Sequence, residues 1–328
     1  MQWFLPAWRD GFYRARVISI KQINANTLNI TLSTEDKWPV HQAGQHLALT
    51  VDVHGKLTTR VFTIASGARR HSTDNEIRLV LRVKENGALT PYLRSLKTNQ
   101  WINISAPKGS FQLPTDKPVL MVAGGSGITP FIAMLEDYLA LQDTTASPLP
   151  DIHLLHYAKQ DEHLLLDELS KIASAVSNFS FRILTRERDG DVSQHLPLFK
   201  SYQWMVCGPQ SLYESVSQYA TSHHITVESE HFAALSPIIS NSASKQTLSL
   251  HHDNTVLNVN NQQTLLEQLQ QANIPVNFGC GMGICHQCQC VKKQGVVRDV
   301  RTGELSDNAE ELIQLCVSQA VTNLELQS

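Results

Sequence analysis

The sequence predicts a multidomain chain in which three fold classes follow one another: a six-stranded antiparallel β-barrel, an α/β unit with a doubly wound parallel sheet, and a small α+β unit. Three observations carry this. From Tyr13 to about Leu113, short runs of alternating apolar and polar residues are separated by polar turns, the period of half-buried strands. At Lys117 the texture changes to a continuous apolar run, Pro118-Val-Leu-Met-Val-Ala123, and strand patterns then alternate with helical ones. Near the C-terminus, four of the six cysteines gather in one pattern. At 328 residues the chain is long enough for two or three separate cores.

In the barrel the expected strands are Ala15–Ile20, Thr27–Leu32, Gln45–Val53, Arg60–Ala65, Ile77–Lys84 and Trp101–Ser105, with one helical piece, Leu89–Leu96, opened by Thr90-Pro91. In the parallel sheet, strands are expected after Pro118 and at Ile152–Tyr157, Phe179–Thr185, Trp204–Cys207 and Ile225–Val227. Helices are expected at Ile128–Leu141, Asp161–Val176 and Pro209–Thr221. Leu235 to Lys245 is poor in charge and rich in small polar residues, the texture of a linker. Beyond it, strands at Thr247–His252 and Thr255–Val259, a helix at Leu265–Ala272 opened by Thr264, and a cysteine loop complete the chain. The domain expectation is therefore 1–114, 115–233, linker 234–245 and 246–328.

The loop reads Cys280-Gly-Met-Gly-Ile-Cys285-His-Gln-Cys288, and Cys316 follows after a gap of twenty-seven residues. This is the ligand spacing of a plant-type [2Fe-2S] cluster. Two sulfide-bridged irons need four thiolates in one small volume, so the loop supplying three of them must curl tightly, which Gly281 and Gly283 permit. A structural zinc site also uses four cysteines, but usually as two short knuckles, whereas here three ligands share a loop and the fourth stands alone. Cys290, in a strand expected at Gln289–Lys292, is read as core.

Composition excludes several classes. A formal net charge of -3 and the lack of any Lys/Arg-rich run argue against nucleic acid as a partner. No apolar stretch reaches the length of a membrane span, and the N-terminus lacks the pattern of a secretory signal. Cysteines clustered for metal suit a reducing cytoplasm. Trp3, Phe4, Trp8 and Phe12 form an aromatic arm with two readings: packing on its own domain, or peripheral contact with a membrane or a membrane-bound partner. The chain is expected to be a monomer.

Three motifs carry further chemistry. Arg60-Val-Phe62-Thr63 combines a planar cationic fork suited to phosphate, an aromatic ring and a hydroxyl on one strand. Lys84-Glu-Asn-Gly87-Ala-Leu-Thr90 precedes a helix start, where backbone N–H groups favour an anion. Gly124-Gly125-Ser-Gly127-Ile-Thr129-Pro130 joins a buried strand to a helix, as a pyrophosphate-binding loop does, although Pro130 stands where the third glycine of G-x-G-x-x-G would be. Together these resemble the ferredoxin-NADP reductase superfamily. Arg-x-aromatic-Ser/Thr is similar to its flavin motif, Gly-x-Gly-Ile-Thr-Pro to its nicotinamide loop, and Pro107-Lys-Gly109-Ser-Phe111 to the segment closing its barrel.

The resemblance spans nearly the whole chain, in the order flavin barrel, nicotinamide domain and β-grasp ferredoxin. It implies that Arg60, Phe62, Thr63, Lys84, Gly87 and Thr90 bind flavin, with Thr63 beside flavin N5. It implies that Gly124, Gly125, Gly127, Thr129, Pro130, Cys207, Gly208 and Pro209 bind the nicotinamide nucleotide, with Cys207 positioning its ring rather than forming a covalent bond. Glu230-His231-Phe232 lies where relatives carry Glu-x-Phe near the flavin, and Thr185, Arg186 and Lys159 are placed for the extra phosphate of NADPH. The implied function is transfer of electrons from NADPH or NADH through FAD, or FMN, to the [2Fe-2S] cluster of Cys280, Cys285, Cys288 and Cys316. From there they pass to a separate metal-containing protein such as an oxygenase or desaturase, with the residues around Cys285 and Cys288, such as Met282 and His286, as the docking face. A redox-sensing module with little turnover is the alternative from another class.

Overall fold

The computed structural model describes residues 12–85, 87–114, 116–142, 150–230, 246–253, 255–278, 281, 283 and 288–327. The linker and most of the aromatic arm lie outside the described residues, as does the side chain of Phe12. The chain divides into two compact units, Met1–Phe232 and Ala233–Ser328.

The first unit opens with strands β1 (Phe12–Asn24), β2 (Thr27–Thr34), β3 (His46–Val53) and β4 (Lys56–Thr63), helix α1 (Ala68–Asp74), and strands β5 (Glu76–Arg82) and β6 (Trp101–Ser105). They form one six-stranded antiparallel sheet in the order β4-β3-β6-β1-β2-β5. Its ends close on each other where Ala65 N–H donates to the carbonyl of Arg78 at 2.7 Å and Arg78 N–H to the Ser66 hydroxyl at 3.1 Å. Inside lies a core that includes Val17, Ile30, Leu47, Leu49, Ile77, Leu79 and Ile104.

Two local differences from expectation have physical reasons. Leu89–Leu96 is not a helix but a single 3-10 turn, Tyr92–Ser95, because Pro91 offers no N–H and Leu96 is extended (φ -58°, ψ 147°). α1 escaped the sequence reading because Ala-Arg-Arg-His-Ser-Thr-Asp has no apolar face. It forms because carboxylates from elsewhere cap its N-terminus: Gly67 N–H donates to Glu136 Oε2 at 2.8 Å and Ala68 N–H to Asp137 Oδ2 at 3.0 Å.

The same unit continues with β7 (Val119–Gly124), α2 (Thr129–Gln142), β8 (Ile152–Tyr157), α3 (Leu166–Ala175), β9 (Phe179–Leu184), α4 (Arg186–Asp189), β10 (Gln203–Cys207), α5 (Gln210–Ser222) and β11 (Val227–Glu230). The parallel sheet has the order β11-β10-β7-β8-β9, so the chain winds outward in both directions from β7. α3 starts later than the periodicity predicts because Leu165 sits in the left-handed region at φ 61°. β11 also starts late: the Ile225 N–H is occupied by the carbonyl of Ala220 at the end of α5. 

Arg78 on β5 joins the barrel to this sheet. Its guanidinium is 7 % exposed and donates to both Glu168 oxygens on α3 at 2.8 Å, to Glu136 Oε1 on α2 at 3.0 Å, and to the Ala65 carbonyl at 2.8 Å. Burial pushes the Glu136 carboxyl up, and Arg78 pulls it back down.

The second unit contains β12 (Thr247–His252), β13 (Thr255–Asn260), α6 (Leu265–Gln271), β14 (Gln289–Gln294), β15 (Val297–Asp299), β16 (Glu311–Gln314), β17 (Ser318–Ala320) and β18 (Leu324–Gln327). A mixed sheet, β13-β12-β18-β14-β16, lies beside the pair β15-β17. Thr264 and Glu267 form a reciprocal capping box at the start of α6, as the Thr264 reading anticipates. Lys292 is fully buried and donates to the carbonyls of Asp307 and Ala309 at 2.7 and 2.6 Å, pinning the loop before β16. Cys290 is buried in the core of this unit.

Because buried Arg78 ties β5 to half-buried carboxylates on α2 and α3 and to the Ala65 carbonyl, Arg78→Ala removes the cation from all four contacts at once. It is expected to cost about 3 kcal/mol in denaturant unfolding; a change within 0.5 kcal/mol, the usual range of surface substitutions, would contradict the assignment.

Candidate functional site

β7 and β10 are neighbours from which the chain departs in opposite directions, and in such sheets ligands bind beyond the C-terminal strand ends at that switch point. The segment after β7 forms one 3-10 turn, Gly125–Ile128, and runs into α2 at Thr129. Its glycines serve different ends. A Cβ on Gly127 would lie 2.1 Å from the carbonyl oxygen of Cys207, one on Gly124 2.5 Å from Pro209 Cδ, and one on Gly208 2.9 Å from Gly124 Cα. These three let the two strand ends touch. Gly125 is the open one, at φ +54° with no atom within 4 Å of a would-be Cβ. Thr129 closes the turn by donating to the Ser126 carbonyl at 3.0 Å, and Pro130 occupies the first turn of α2, where its missing N–H breaks no ladder.

His156 on β8 escaped the sequence reading. It is fully buried and its Nε2–H donates to the Gly125 carbonyl at 3.1 Å, so it fixes the open peptide of the loop. Burial holds its pKa down to about 4, so the ring is neutral near pH 7. A single histidine inside an apolar strand run carries no signal of such a contact.

Thr63 and Cys207 come together through two residues between them. Thr63 at the end of β4 stands opposite His46 on β3. His46 Nδ1 lies 2.9 Å from Glu230 Oε1, with both side chains 8 % exposed, and Glu230 on β11 stands beside Cys207 on β10. Burial pushes the Glu230 carboxyl up, and its bond to His46 opposes this. Burial, and then Glu230, push the Cys207 thiol well above its ordinary value. Cys207 is thus a protonated thiol rather than a nucleophilic thiolate. Gly109 leaves room for the pair, since a Cβ there would lie 3.0 Å from the His46 ring.

Arg60 and Phe62 occupy the opposite face of β4 from Thr63, with Phe62 packed on the barrel core and Arg60 Nη1 donating to the Thr59 carbonyl at 2.7 Å. Lys84, Gly87 and Thr90 form one turn. The Lys84 N–H donates to Thr90 Oγ1 at 3.0 Å, and Gly87 N–H donates to the Lys84 carbonyl at 2.8 Å. At the end of β9, buried Thr185 gives its N–H to Asp189 Oδ2 at 2.7 Å, and exposed Arg186 pairs with Asp191 at 3.1 Å. Arg188 holds the Asp189 carboxyl down to about 2. Phe232 lies outside the described residues.

In the second unit, Cys288 and Cys316 are buried with their sulfurs 3.1 Å apart. That exceeds the ~2.05 Å of a disulfide, so the two sulfurs are held side by side without being bridged. Gly283 N–H donates to Cys316 Sγ at 3.1 Å, the amide-to-sulfur approach a cluster loop needs. Cys280 and Cys285 lie outside the described residues, as do Met282 and His286.

Comparison with known proteins agrees with this layout. Residues 14–113 match the model of the oxidoreductase FAD-binding domain, 121–218 that of the oxidoreductase NAD-binding domain, and 250–321 that of the 2Fe-2S iron-sulfur cluster binding domain. An NADPH oxidoreductase of Mycobacterium tuberculosis is 23 % identical over 96 % of this chain and 84 % of its own length. The toluate 1,2-dioxygenase electron transfer component of Pseudomonas putida is 28 % identical over 65 % of this chain and 64 % of its own. Phthalate dioxygenase reductase shares the fold with a TM-score of 0.63 and 22 % identity, covering 97 % of this chain and 98 % of that one. The molecule is an NAD(P)H-dependent oxidoreductase that uses FAD and a [2Fe-2S] cluster to carry electrons. The three matched domains, in this order, fit the layout of the three-domain flavin/NAD/[2Fe-2S] reductases.

His156 supplies a pH prediction. Its folded pKa, about 4, is below the unfolded value of 6.5, so the unfolded chain binds the proton first and stability falls as pH drops from about 6.5 toward 4, by roughly 3 kcal/mol from this group. His41 and His71, also lowered by burial, add to the same slope. His156→Gln, which keeps an N–H donor, is expected to make the fall in Tm between pH 6.5 and 4.5 shallower. His156→Leu is expected in addition to raise KM for NAD(P)H; an unchanged slope in both would refute the assignment.

Proposed function

We propose that hydride enters at the convergence of Thr63, His46, Glu230 and Cys207 and that electrons leave through Cys280, Cys285, Cys288 and Cys316. The observation that carries this reading is the His46–Glu230 contact, which links the strand bearing Thr63 to the sheet end bearing Cys207. Bound FAD supplies the conversion of a hydride into single electrons. This chain's residues do the rest. Arg60 and the Lys84–Thr90 turn hold the flavin's phosphates, Phe62 flanks its ring, and Thr63 offers a hydroxyl where hydride arrives. The Gly125 turn and the start of α2 take the nucleotide's pyrophosphate, with Gly124, Gly127, Thr129 and Pro130 shaping it and Gly208 and Pro209 completing the far wall. Cys207, kept as a small neutral thiol, positions the nicotinamide without adding charge.

The domains are assigned as 1–114, 115–233 and 246–328, with 234–245 as linker. Electrons pass to a separate metal-containing acceptor of the oxygenase type, in keeping with relatives named as electron transfer or reductase components of such systems. The protein is proposed to act as a cytoplasmic monomer; no helix among the described residues is long and apolar enough to cross a membrane. NADPH is the preferred donor on the strength of Thr185 and exposed Arg186 just past β9 and of exposed Lys159 just past β8, a hydroxyl and two cations suited to an extra phosphate.

Purified protein with its cofactors is expected to reduce cytochrome c with NADPH. Cys207→Ala is expected to slow flavin reduction roughly 10- to 100-fold with flavin content unchanged, and loss of flavin or of cluster instead would make Cys207 structural. In the same assay kcat/KM is expected to be higher for NADPH than for NADH, and Arg186→Ala is expected to erase the difference. Equal or better use of NADH by the unaltered protein would overturn the NADPH assignment.

A further inference from the structure

Arg301 lies fifteen positions before Cys316 and belongs to none of the motifs above, yet it reaches the cysteine loop. The hairpin that carries it is held beside the turn bearing Cys316, between β16 and β17, by the β15-β17 pairing, Asp299 opposite Ser318, and by Val300 N–H donating to the Val317 carbonyl at 2.8 Å. Asp299 then aims the guanidinium: Arg301 Nε lies 3.0 Å from Oδ1 and Nη2 2.5 Å from Oδ2, the bidentate fork of an arginine-carboxylate pair. The remaining nitrogen, Nη1, donates to the Gly283 carbonyl at 3.2 Å. Gly283 is the residue whose N–H donates to Cys316 Sγ, so a single peptide-bearing residue is held on one side by the arginine and on the other by a ligand sulfur. It has to be glycine: φ is +72°, and a Cβ would lie 2.7 Å from Val317 Cγ1 and 2.8 Å from Arg301 Nη1.

From this arrangement we propose that Arg301 is a positioning and potential-setting residue of the iron-sulfur site. The inference rests on the cysteine ligand set proposed above. Arg301 holds the Gly283 carbonyl while the Gly283 amide meets Cys316 Sγ, and so places a fixed positive charge one residue away from a ligand sulfur. Each electron arriving from the flavin adds one negative charge to the site and leaves again with the acceptor, with no bond made or broken and no proton required. A fixed cation favours the state with the extra electron, and cluster potentials respond to net charge and to hydrogen bonds on sulfur. Asp299 acts in the opposite sense, offsetting part of the arginine's field while orienting it. The two residues together set how far downhill the electron moves from flavin to cluster.

The test uses the full-length protein with its cofactors and compares Arg301→Gln, Arg301→Lys and Asp299→Asn. Iron, acid-labile sulfide and flavin content are measured, and the cluster midpoint potential is titrated by electron paramagnetic resonance. Arg301→Gln with full cluster content is expected to have a lower potential, shifting the flavin-to-cluster equilibrium about tenfold toward flavin, ~59 mV for one electron. Arg301→Lys is expected to fall between it and the unaltered protein, and Asp299→Asn is expected to rise above the unaltered protein. A purely structural role moves cluster content without these opposed shifts. Arg301→Gln with a full cluster and an unaltered potential overturns the proposal. If Arg301→Gln loses the cluster, Asp299→Asn decides: a raised potential supports the proposal and an unchanged one overturns it. Zinc in place of iron in the unaltered protein would defeat the ligand set itself, a result distinguishable from any of these.

Discussion

The close approach of β7 and β10 at their C-terminal ends is the constraint on which the first unit's site depends. Were Gly127 any other residue, its side chain would occupy the carbonyl of Cys207, and the loop after β7 would be driven away from the strand bearing the thiol. On the other side of β10, β11 pairs with it residue for residue and delivers Glu230 beside Cys207. From there the buried bond to His46 reaches the barrel. One glycine, two parallel strands and a polar contact between sheets thus adjoin at a single strand end.

Polar contacts elsewhere in this unit follow the same economy, in which a side chain from one layer satisfies the backbone of another. Glu136 and Asp137 on α2 cap a helix whose own sequence offers no cap, and Glu136 also receives Arg78. His156 reaches from β8 to the loop after β7. In the second unit buried Lys292 does for the 307–309 loop what His156 does for Gly125, donating to two of its backbone carbonyls. Because each such side chain serves a backbone group, its loss alters the path of the chain as well as its stability.

These contacts mark the boundary of what the sequence made legible. Strands and the long helices were readable because their periodicity reports burial, and β8 and β12 fall where the alternation placed them. The glycine loop, the Arg60–Thr63 strand and the cysteine spacing were readable because close approach and ligand count restrict residue types sharply. Their sorting was not: that Gly125 faces open space while Gly124 and Gly127 serve strand packing depends on β10, eighty residues away in the chain. α1 is set by distant carboxylates, and the supposed helix at Leu89–Leu96 shrank to one turn because Pro91 and the extended Leu96 bound it on both sides. His46, His156 and Arg301 escaped because an isolated histidine or arginine looks the same in sequence whether it faces water or holds a functional loop.

The protonated state of Cys207 has a consequence for the durability of the site. Reduced flavins react with dioxygen to form peroxide, and a cysteine beside a flavin would be the nearest target for it. Peroxide attacks thiolates, and a thiol held neutral by burial and by a neighbouring carboxyl is slow to enter the oxidation ladder. On the proposed assignment, the environment that makes Cys207 a poor nucleophile would therefore also protect it, letting a small polarisable group sit at the point of hydride entry without being consumed by the chemistry around it.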